Sequence, residues 1–498
     1  MTFPSIIYAL FLLSVIGIYW ALRQPTLRLW MLVLASLVFY ASLQIEYVPL
    51  LLIATLINFR LGGLLNAPVD WRSPQEEQRF ANQDWHRRRL YWLWLGIGLN
   101  IMLLVVCKYL PFLISILGTL LNLSLASQST HWLETHLLAP LGISFFCFES
   151  VAYLVDVYRG APPTQRWLEF AAYKLFFPKL ISGPITRFHH WVGQFQNSIL
   201  PRPEQTADGL WLIATGAVKK LLLADRLGIL VDLSFENLAR AGSGDLWLAT
   251  FAYGLQIYLD FSGYVDIARG SAILLGLNLP QNFDFPYFCT NIADFWRRWH
   301  MTLGDWLRNY LYFPLGGSRQ GLKRTCLNLM VVMLVAGIWH GADWGFIVWG
   351  GLHGLALVIH RLTVVWSKRW SWLETSWQRW PGMLLAWGMT QGMVFTTWIF
   401  FRLPDLKDSG LVLQRLWGHT ADVQFYQKVY LDVFGLERLQ ITLLLWLIVA
   451  VMAVLYGFNR GLKLQLNWPT KILLTPVFFF VAWLLAPSES SQYIYFDF

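Results

Sequence analysis

Leu329-Met-Val-Val-Met-Leu-Val-Ala-Gly-Ile-Trp-His-Gly-Ala-Asp343 is a hydrophobic run that carries one ionisable ring, His340, near its end. With its flanks the run reads as a helix crossing a membrane. Ionisable side chains at that depth generally face a cavity or a polar path, so His340 is a candidate functional residue. Imidazole is the side chain best suited to moving protons near neutral pH. Burial penalises the charged form, so His340 reads as a general base held neutral in a low-dielectric place. The competing reading is a packing histidine that donates to a backbone carbonyl, and a lone histidine on an apolar helix favours it. Gly337, Gly341 and Gly345 shift the balance toward a site. Small residues allow close helix approach, and they also leave room beside the ring. The reading requires an imidazole that both water phases can reach.

The rest of the chain supports a membrane setting. Of its 498 residues 56% are hydrophobic and 13% charged, with mean hydropathy +0.47. A soluble globular chain is about 45–50% apolar and about 25% charged. Apolar segments recur from end to end and leave no room for a large soluble domain. One membrane-embedded domain is therefore expected over 1–498, with a catalytic core at about 91–361 and C-terminal helices over 382–498. The net charge of +9 fits Lys and Arg collected in cytoplasmic loops better than a nucleic-acid partner. Cys107, Cys147, Cys289 and Cys326 lie far apart, which argues against a disulfide framework or a metal site. The first apolar segment lacks a basic leader and a small-residue cleavage site, so it reads as a retained span. Phosphate-loop, His-Glu-x-x-His and Gly-x-Ser-x-Gly motifs are absent, which excludes ATP-driven pumps, zinc proteases and serine hydrolases of those types.

A span needs roughly 20 apolar residues. Candidates are 3–22, 27–44, 46–65, 91–110, 138–156, 208–232, 246–275, 326–342, 344–361, 382–401, 440–458 and 470–487. Segment 171–185 is short and interrupted by Pro178 and Pro184. It reads as re-entrant, a form tolerated only where protein or a watery cavity covers it. Basic residues collect after the first span (Arg23, Arg28), in 66–90 (Arg72, Arg79, Arg87, Arg88, Arg89) and in 281–325, whereas 117–137 has none. That alternation predicts both termini outside and an even number of crossings. The mixed-charge loop 402–439 then lies outside. No internal repeat is evident.

Three further stretches carry polar chemistry. Asn291-Ile-Ala-Asp-Phe-Trp-Arg-Arg-Trp-His300 runs into Met301-Thr-Leu-Gly-Asp-Trp-Leu-Arg-Asn-Tyr-Leu-Tyr-Phe-Pro-Leu-Gly-Gly317. At helical spacing Phe295, Trp299, Leu303 and Trp306 share a face, while Arg297, Arg298 and Asp305 lie elsewhere. One reading is an interfacial helix, with tryptophans at headgroup level and arginines on anionic lipid. The other, compatible with it, is the wall of a site for a phosphate-bearing ligand, because arginine forks suit phosphate oxygens. His300 gains interest from its pairing with an intramembrane histidine. His353, among glycines, reads as structural. Finally, Gln256-Ile-Tyr-Leu-Asp-Phe-Ser-Gly-Tyr-Val-Asp266 puts two carboxylates in one apolar segment. A charged Asp at a span centre costs roughly 2.5–3.5 kcal/mol, so Asp260 needs a tyrosine, arginine or histidine partner. Asp266 reads as structural, and Tyr258 with Asp260 as a possible lining of the reaction path.

Taken in order, these passages resemble the membrane-bound O-acyltransferase family. The resemblance rests on Phe295–His300, Tyr310–Gly317, Gly337-Ile-Trp-His-Gly341 and Leu352-His-Gly354. Upstream, Pro140–Glu149, Asp156–Gly160, Phe177–Pro184 and Tyr258–Tyr264 are similar to its bacterial branch, and Tyr493-Ile-Tyr-Phe-Asp-Phe498 is similar to the aromatic tail of alginate O-acetylation proteins. The resemblance implies an all-α polytopic fold, a ring of about 11–13 tilted helices around a central funnel with re-entrant and interfacial helices. It implies that His340 is the catalytic histidine and His300 the second active-site position, orienting the donor or polarising its carbonyl. It implies acetyl-CoA as a donor substrate, no permanently bound cofactor or metal, and a bacterial inner-membrane location. Arg297, Arg298, Trp299, Trp339, Tyr258 and Asp260 would line the donor path. The acceptor would be an exopolysaccharide hydroxyl or a periplasmic SGNH-type acetyltransferase partner. A D-alanyl transfer onto teichoic acid from a carrier protein, a proton-coupled transporter and a scaffold subunit without chemistry are the alternatives.

Overall fold

Backbone crossing lipid must satisfy its polar groups within itself, and helices do so segment by segment. The computed structural model describes residues 3, 5–66, 75–121, 139–196, 199–464, 466–487 and 491–496. Among them there is no strand. Arg72 and the stretch 122–137, both used above to orient the loops, lie outside the described residues.

Each apolar run expected to span coincides with a helix. In chain order these are α1 (Ile6–Ala21), α2 (Pro25–Gln44), α3 (Val48–Leu64) and α4 (Gln75–Leu104). A widened turn, Val105–Tyr109, carries α4 into α5 (Leu110–Leu121). Next come α6 (Ile143–Tyr158), α7 (Trp167–Lys174), α8 (Phe188–Gln196) and α9 (Pro203–Ala217). A second widened turn, Val218–Ala224, joins α9 to α10 (Asp225–Phe235), and α11 (Ser243–Leu274) follows. The second half holds α12 (Ile292–Arg298), α13 (Met301–Leu307), α14 (Gly321–His340), α15 (Trp344–Ser367) and α16 (Ser371–Gln378). It closes with α17 (Trp380–Arg402), α18 (Leu406–Arg415), α19 (Val423–Tyr426), α20 (Arg438–Tyr456) and α21 (Trp468–Leu485). Seven segments are long and apolar enough to cross a membrane among the described residues. Leu443, Leu447, Val451 and Val454 of α20 are exposed, an apolar face suited to lipid rather than water. The chain is a multi-pass membrane protein.

One compact unit comprises Met1–Gly209 and Ile267–Pro280. Within it Tyr8 pairs its hydroxyl with Ser271 at 2.9 Å, and the Trp20 indole donates to the Leu274 carbonyl at 3.0 Å. The broken segment is found where expected: helix ends at Lys174, turns follow, and 170–186 is buried throughout. Protein, not lipid, satisfies its polar groups. Glu149 accepts from Lys179 Nζ at 2.6 Å, from the Thr186 amide at 3.0 Å and from the Thr186 hydroxyl at 2.8 Å. Lys174, fully buried, donates to the Phe146 carbonyl at 2.7 Å. Removing one member of a buried charge pair costs about 3–5 kcal/mol. Glu149→Leu is therefore expected to remove most monodisperse protein from a detergent extract, read by size-exclusion chromatography. Glu149→Gln, which still accepts from Thr186, is expected to retain more.

The other unit comprises Leu210–Asp266 and Gln281–Asp497. Its central feature is the antiparallel hairpin of α14 and α15. The Asp343 carboxylate caps α15 by accepting the Trp344 amide at 2.6 Å. A Cβ on Gly350 would lie 2.5 Å from the Met333 carbonyl, and one on Gly337 would strike the Phe346 carbonyl. A Cβ on Gly345 would lie 2.5 Å from Pro404, and one on Gly341 would strike the Phe346 ring. The expectation that these glycines leave room beside His340 is thus corrected: backbone and Phe346 occupy that space, and the small residues serve close packing. The 402–439 segment is ordered into α18, α19 and the widened helix Gln427–Phe434. Tyr430 holds it to Asp245 at 2.7 Å, and the Trp247 indole donates to the Leu416 carbonyl at 3.0 Å.

Candidate active site

Helical spacing runs Phe295, Trp299, Leu303 and Trp306 along one face of an interfacial helix, and the structure breaks that helix. α12 stops at Arg298, Trp299 is extended, and His300 takes the left-handed conformation at φ 43° before α13 begins. That conformation is uncommon for a side-chain-bearing residue. The neighbouring loop 282–284 supplies hydrogen bonds in place of those a continuous helix would have made. The Asp284 amide donates to the Arg298 carbonyl at 3.0 Å, and the Met301 amide to the Asn282 carbonyl at 2.9 Å. Asn282 Oδ1 accepts the Thr302 amide and hydroxyl, each at 3.0 Å.

This network assigns a tautomer to His300. Its Nδ1 lies 3.2 Å from the same Asn282 oxygen. An amide N–H can only donate, so the atom facing Thr302 is the carbonyl oxygen and His300 Nδ1 must carry the proton. Nε2 then presents a lone pair. The ring is fully buried, and burial pushes its pKa down to about 3. A neutral imidazole with an accepting Nε2 is equipped to take a hydrogen bond, not to polarise a carbonyl by giving one.

His340 ends α14 and is 1% exposed. Four rings enclose it: Trp339 at 4.9 Å, Phe401 at 5.0 Å, Trp349 at 5.2 Å and Tyr495 at 6.0 Å between centroids. The imidazole expected to be reachable from both water phases is instead buried, with aromatic rings on these four sides. His300 shares two of those walls, Trp339 at 6.0 Å and Tyr495 at 6.2 Å. The two histidines therefore face the same pair of aromatic rings. Tyr495 is itself stacked on Phe261 at 3.7 Å, and burial holds its hydroxyl protonated, well above the ordinary pKa.

The remaining expected residues sort by position. Asp260 is buried, but its partner is neither tyrosine, arginine nor histidine: Lys220 Nζ lies 2.7 Å away, and the Ile494 amide donates to it at 3.0 Å. Asp266 pairs with Lys219 at 2.6 Å. Tyr258 is buried among Phe283, Tyr287 and Trp299. Trp299 is 1% exposed and stacks on Phe295, so it is a core residue rather than a headgroup anchor. Arg298 pairs with Asp294 at 2.8 Å, and Arg297 is exposed. His353 Nε2 donates to Thr397 Oγ1 at 2.9 Å, and that hydroxyl donates onward to the Val394 carbonyl, while Nδ1 is buried without a hydrogen-bond partner.

Sequence reasoning missed Asn282, Lys220, Asp225 and Tyr495. Lys220 carried a signal: a lysine pair inside the apolar run 208–232 meets the same criterion that singled out His340. Asn282 sits in a loop and carried none.

Two buried histidines that share a pair of aromatic walls, carried by a polytopic helical protein, mark this as a membrane protein with a candidate polar site in its interior. Comparison with known proteins supplies the family. The sequence pattern described as "MBOAT, membrane-bound O-acyltransferase family" matches residues 165–400. The "Probable alginate O-acetylase AlgI" of Pseudomonas putida is 35% identical over 446 residues, 89% of this chain and 85% of that protein. The "Peptidoglycan O-acetyltransferase" of Helicobacter pylori is 34% identical over 418 residues, 78% of this chain and 74% of that protein. The "Teichoic acid D-alanyltransferase" of Bacillus subtilis is 26% identical over 295 residues, 56% of this chain and 72% of that protein. The chain belongs to the membrane-bound O-acyltransferase family and is an acyltransferase.

Proposed function

We propose that the chain, acting as one domain in a bacterial inner membrane, moves an acetyl group from cytoplasmic acetyl-CoA to a hydroxyl on the far side. The acceptor is a sugar of an exopolysaccharide or the nucleophile of a periplasmic SGNH-type acetyltransferase. The observation that carries the reading is the convergence of His340 and His300 on Trp339 and Tyr495. The names of the relatives with the higher identities, an alginate and a peptidoglycan acetylase, favour acetyl and a polysaccharide. His340 takes the acceptor's hydroxyl proton as the oxygen attacks the thioester carbonyl. The C–O bond forms, the C–S bond breaks, and the thiolate leaves with the proton from the imidazole. Arg297 and Arg298 meet the donor's phosphates, with Trp299, Trp339, Tyr258 and Asp260 shaping the path. Such a base contributes about 10²–10⁴-fold, and holding donor and acceptor in line supplies much of the rest.

The weaker similarity to D-alanyltransferases gives the competing donor its place in the test. Purified protein in liposomes is supplied with radiolabelled acetyl-CoA or with a D-alanyl carrier protein, and alginate fragments or a purified SGNH-type domain is enclosed. The expected result is label transferred from acetyl-CoA alone. Transfer only from the carrier protein would replace acetyl by D-alanyl.

A further inference from the structure

Tyr495 reaches the two histidines from a short segment, Ser491–Phe496, that belongs to none of the long helices. Something must hold that segment. Beneath it lies a buried ionic cluster on the turn Val218–Ala224, α10 and α11. Lys220 Nζ sits 2.8 Å from Asp225 and 2.7 Å from Asp260, and all three side chains are 1–2% exposed. Two carboxylates against one ammonium leave the cluster short of donors. The segment provides them. The Ser491 hydroxyl donates to Asp225 at 2.8 Å and the Ile494 amide donates to Asp260 at 3.0 Å. In return Lys220 donates to the Gln492 carbonyl at 3.1 Å and to Ser491 Oγ at 3.3 Å, and its ammonium lies 4.5 Å from the centre of the Tyr493 ring. Buried charges persist only when their remaining lone pairs and protons are satisfied. The cluster and the segment are therefore tied by donors and acceptors in both directions, with Asp225 Oδ2 alone left without a partner among these groups.

Two details argue for positioning rather than general packing. The ties between the cluster and the segment described above are made to residues 491, 492 and 494, within four residues of Tyr495. The Val218–Ala224 turn is a π-type widening inside the otherwise regular helix of α9 and α10, a feature frequent at functional sites. It turns Lys220 onto Asp260 while its neighbour Lys219 pairs with Asp266.

We propose that Lys220, with Asp225 and Asp260, is a positioning latch: it seats Ser491–Phe496 and so fixes Tyr495 as the wall common to His340 and His300. The latch rests on the proposed acetyl transfer for its kinetic consequence, but not for its structural one. The test uses the full chain in detergent or liposomes, with Lys220→Met, Lys220→Arg and Ile494→Pro. The last deletes one amide donor at the start of a short helical turn, where proline is tolerated. Hydrogen exchange read by mass spectrometry follows the peptide covering 491–496, with α14 and α15 as internal references. Kinetics follow acetyl-CoA turnover. Lys220→Met and Ile494→Pro are expected to exchange at least tenfold faster at 491–496, with α14 and α15 unchanged. Their kcat is expected to fall at least thirtyfold, with the KM for acetyl-CoA within about threefold. Lys220→Arg, which can still bridge two carboxylates, is expected to recover most of both. Unchanged exchange in Ile494→Pro would overturn the latch. Faster exchange with unchanged or increased kcat would overturn the positioning role and make the segment a mere cover. If Lys220→Met fails to fold, Ile494→Pro alone decides. A wild-type chain that transfers no acetyl group leaves the exchange result standing, so failure of the latch and failure of the proposed chemistry are read separately.

Discussion

His340→Ala is expected to lower acetyl transfer by about 10²–10⁴-fold, the usual contribution of a positioned base. The ring ends α14, so truncation to Ala leaves the helix backbone and the Gly337–Gly350 contact in place. What is lost is the imidazole between Trp339, Trp349, Phe401 and Tyr495. The cavity left by a buried aromatic-sized side chain costs about 3–5 kcal/mol in the worst case. Fold and chemistry must therefore be read apart. Initial rates with labelled acetyl-CoA give the chemistry, and a single symmetric size-exclusion peak with retained thermal transition gives the fold. His340→Gln fills more of the cavity and cannot serve as a base near neutral pH, so it should match His340→Ala in rate while exceeding it in stability. A folded His340→Gln protein that transfers acetyl at near-normal rate would remove the proposed base.

The helices were legible because lipid leaves the backbone no alternative, though the run 208–232 is divided between α9, a widened turn and α10. His340 was legible for a related reason: an ionisable ring in such a run is costly and needs a purpose. The break at Trp299–His300 was not, since its cause is Asn282–Asp284, a loop whose pairing with 298–302 is set by tertiary structure. Periodicity alone placed Phe295, Trp299, Leu303 and Trp306 on one face; the first three are buried in the core of the protein rather than at a lipid surface, and Trp306 is only half-buried. The glycines around His340 show a further limit. A small residue reads equally as room for a ligand or as room for another backbone, and only the position of Phe346 and Met333 decides. Lys220 met the same cost criterion as His340 but was passed over. Its significance was not legible, because the groups it holds, Ser491 to Ile494, come from a distant part of the chain.

His300 lends itself to the second large prediction, because its backbone and its ring can be tested apart. Asparagine tolerates the left-handed conformation, so His300→Asn keeps the bend at φ 43° while deleting the imidazole. Transfer is expected to fall about 10²-fold. His300→Leu keeps bulk but strains the bend, and it should lose folded protein as well as rate. The burial of the ring also gives a pH signature with a definite sign. In the unfolded chain the imidazole binds its proton near 6.5, whereas in the fold it does so only at about 3. Between those values the unfolded state holds more protons, so the fold loses stability as pH drops, by up to about 1.4 kcal/mol per pH unit from this group. Above pH 6.5 the group is silent. The unfolding temperature of the wild type in detergent should therefore fall more between pH 6.5 and 5 than that of His300→Asn, with the two curves parallel above pH 7. The same neutrality bears on catalysis. With Nδ1 committed to Asn282, His300 offers a lone pair at every pH where the enzyme works. An acid limb in the transfer rate between pH 5 and 7 must then belong to another group, and it should survive in the residual activity of His300→Asn. Disappearance of that limb in the variant would mean that His300, not His340, carries the titrating proton.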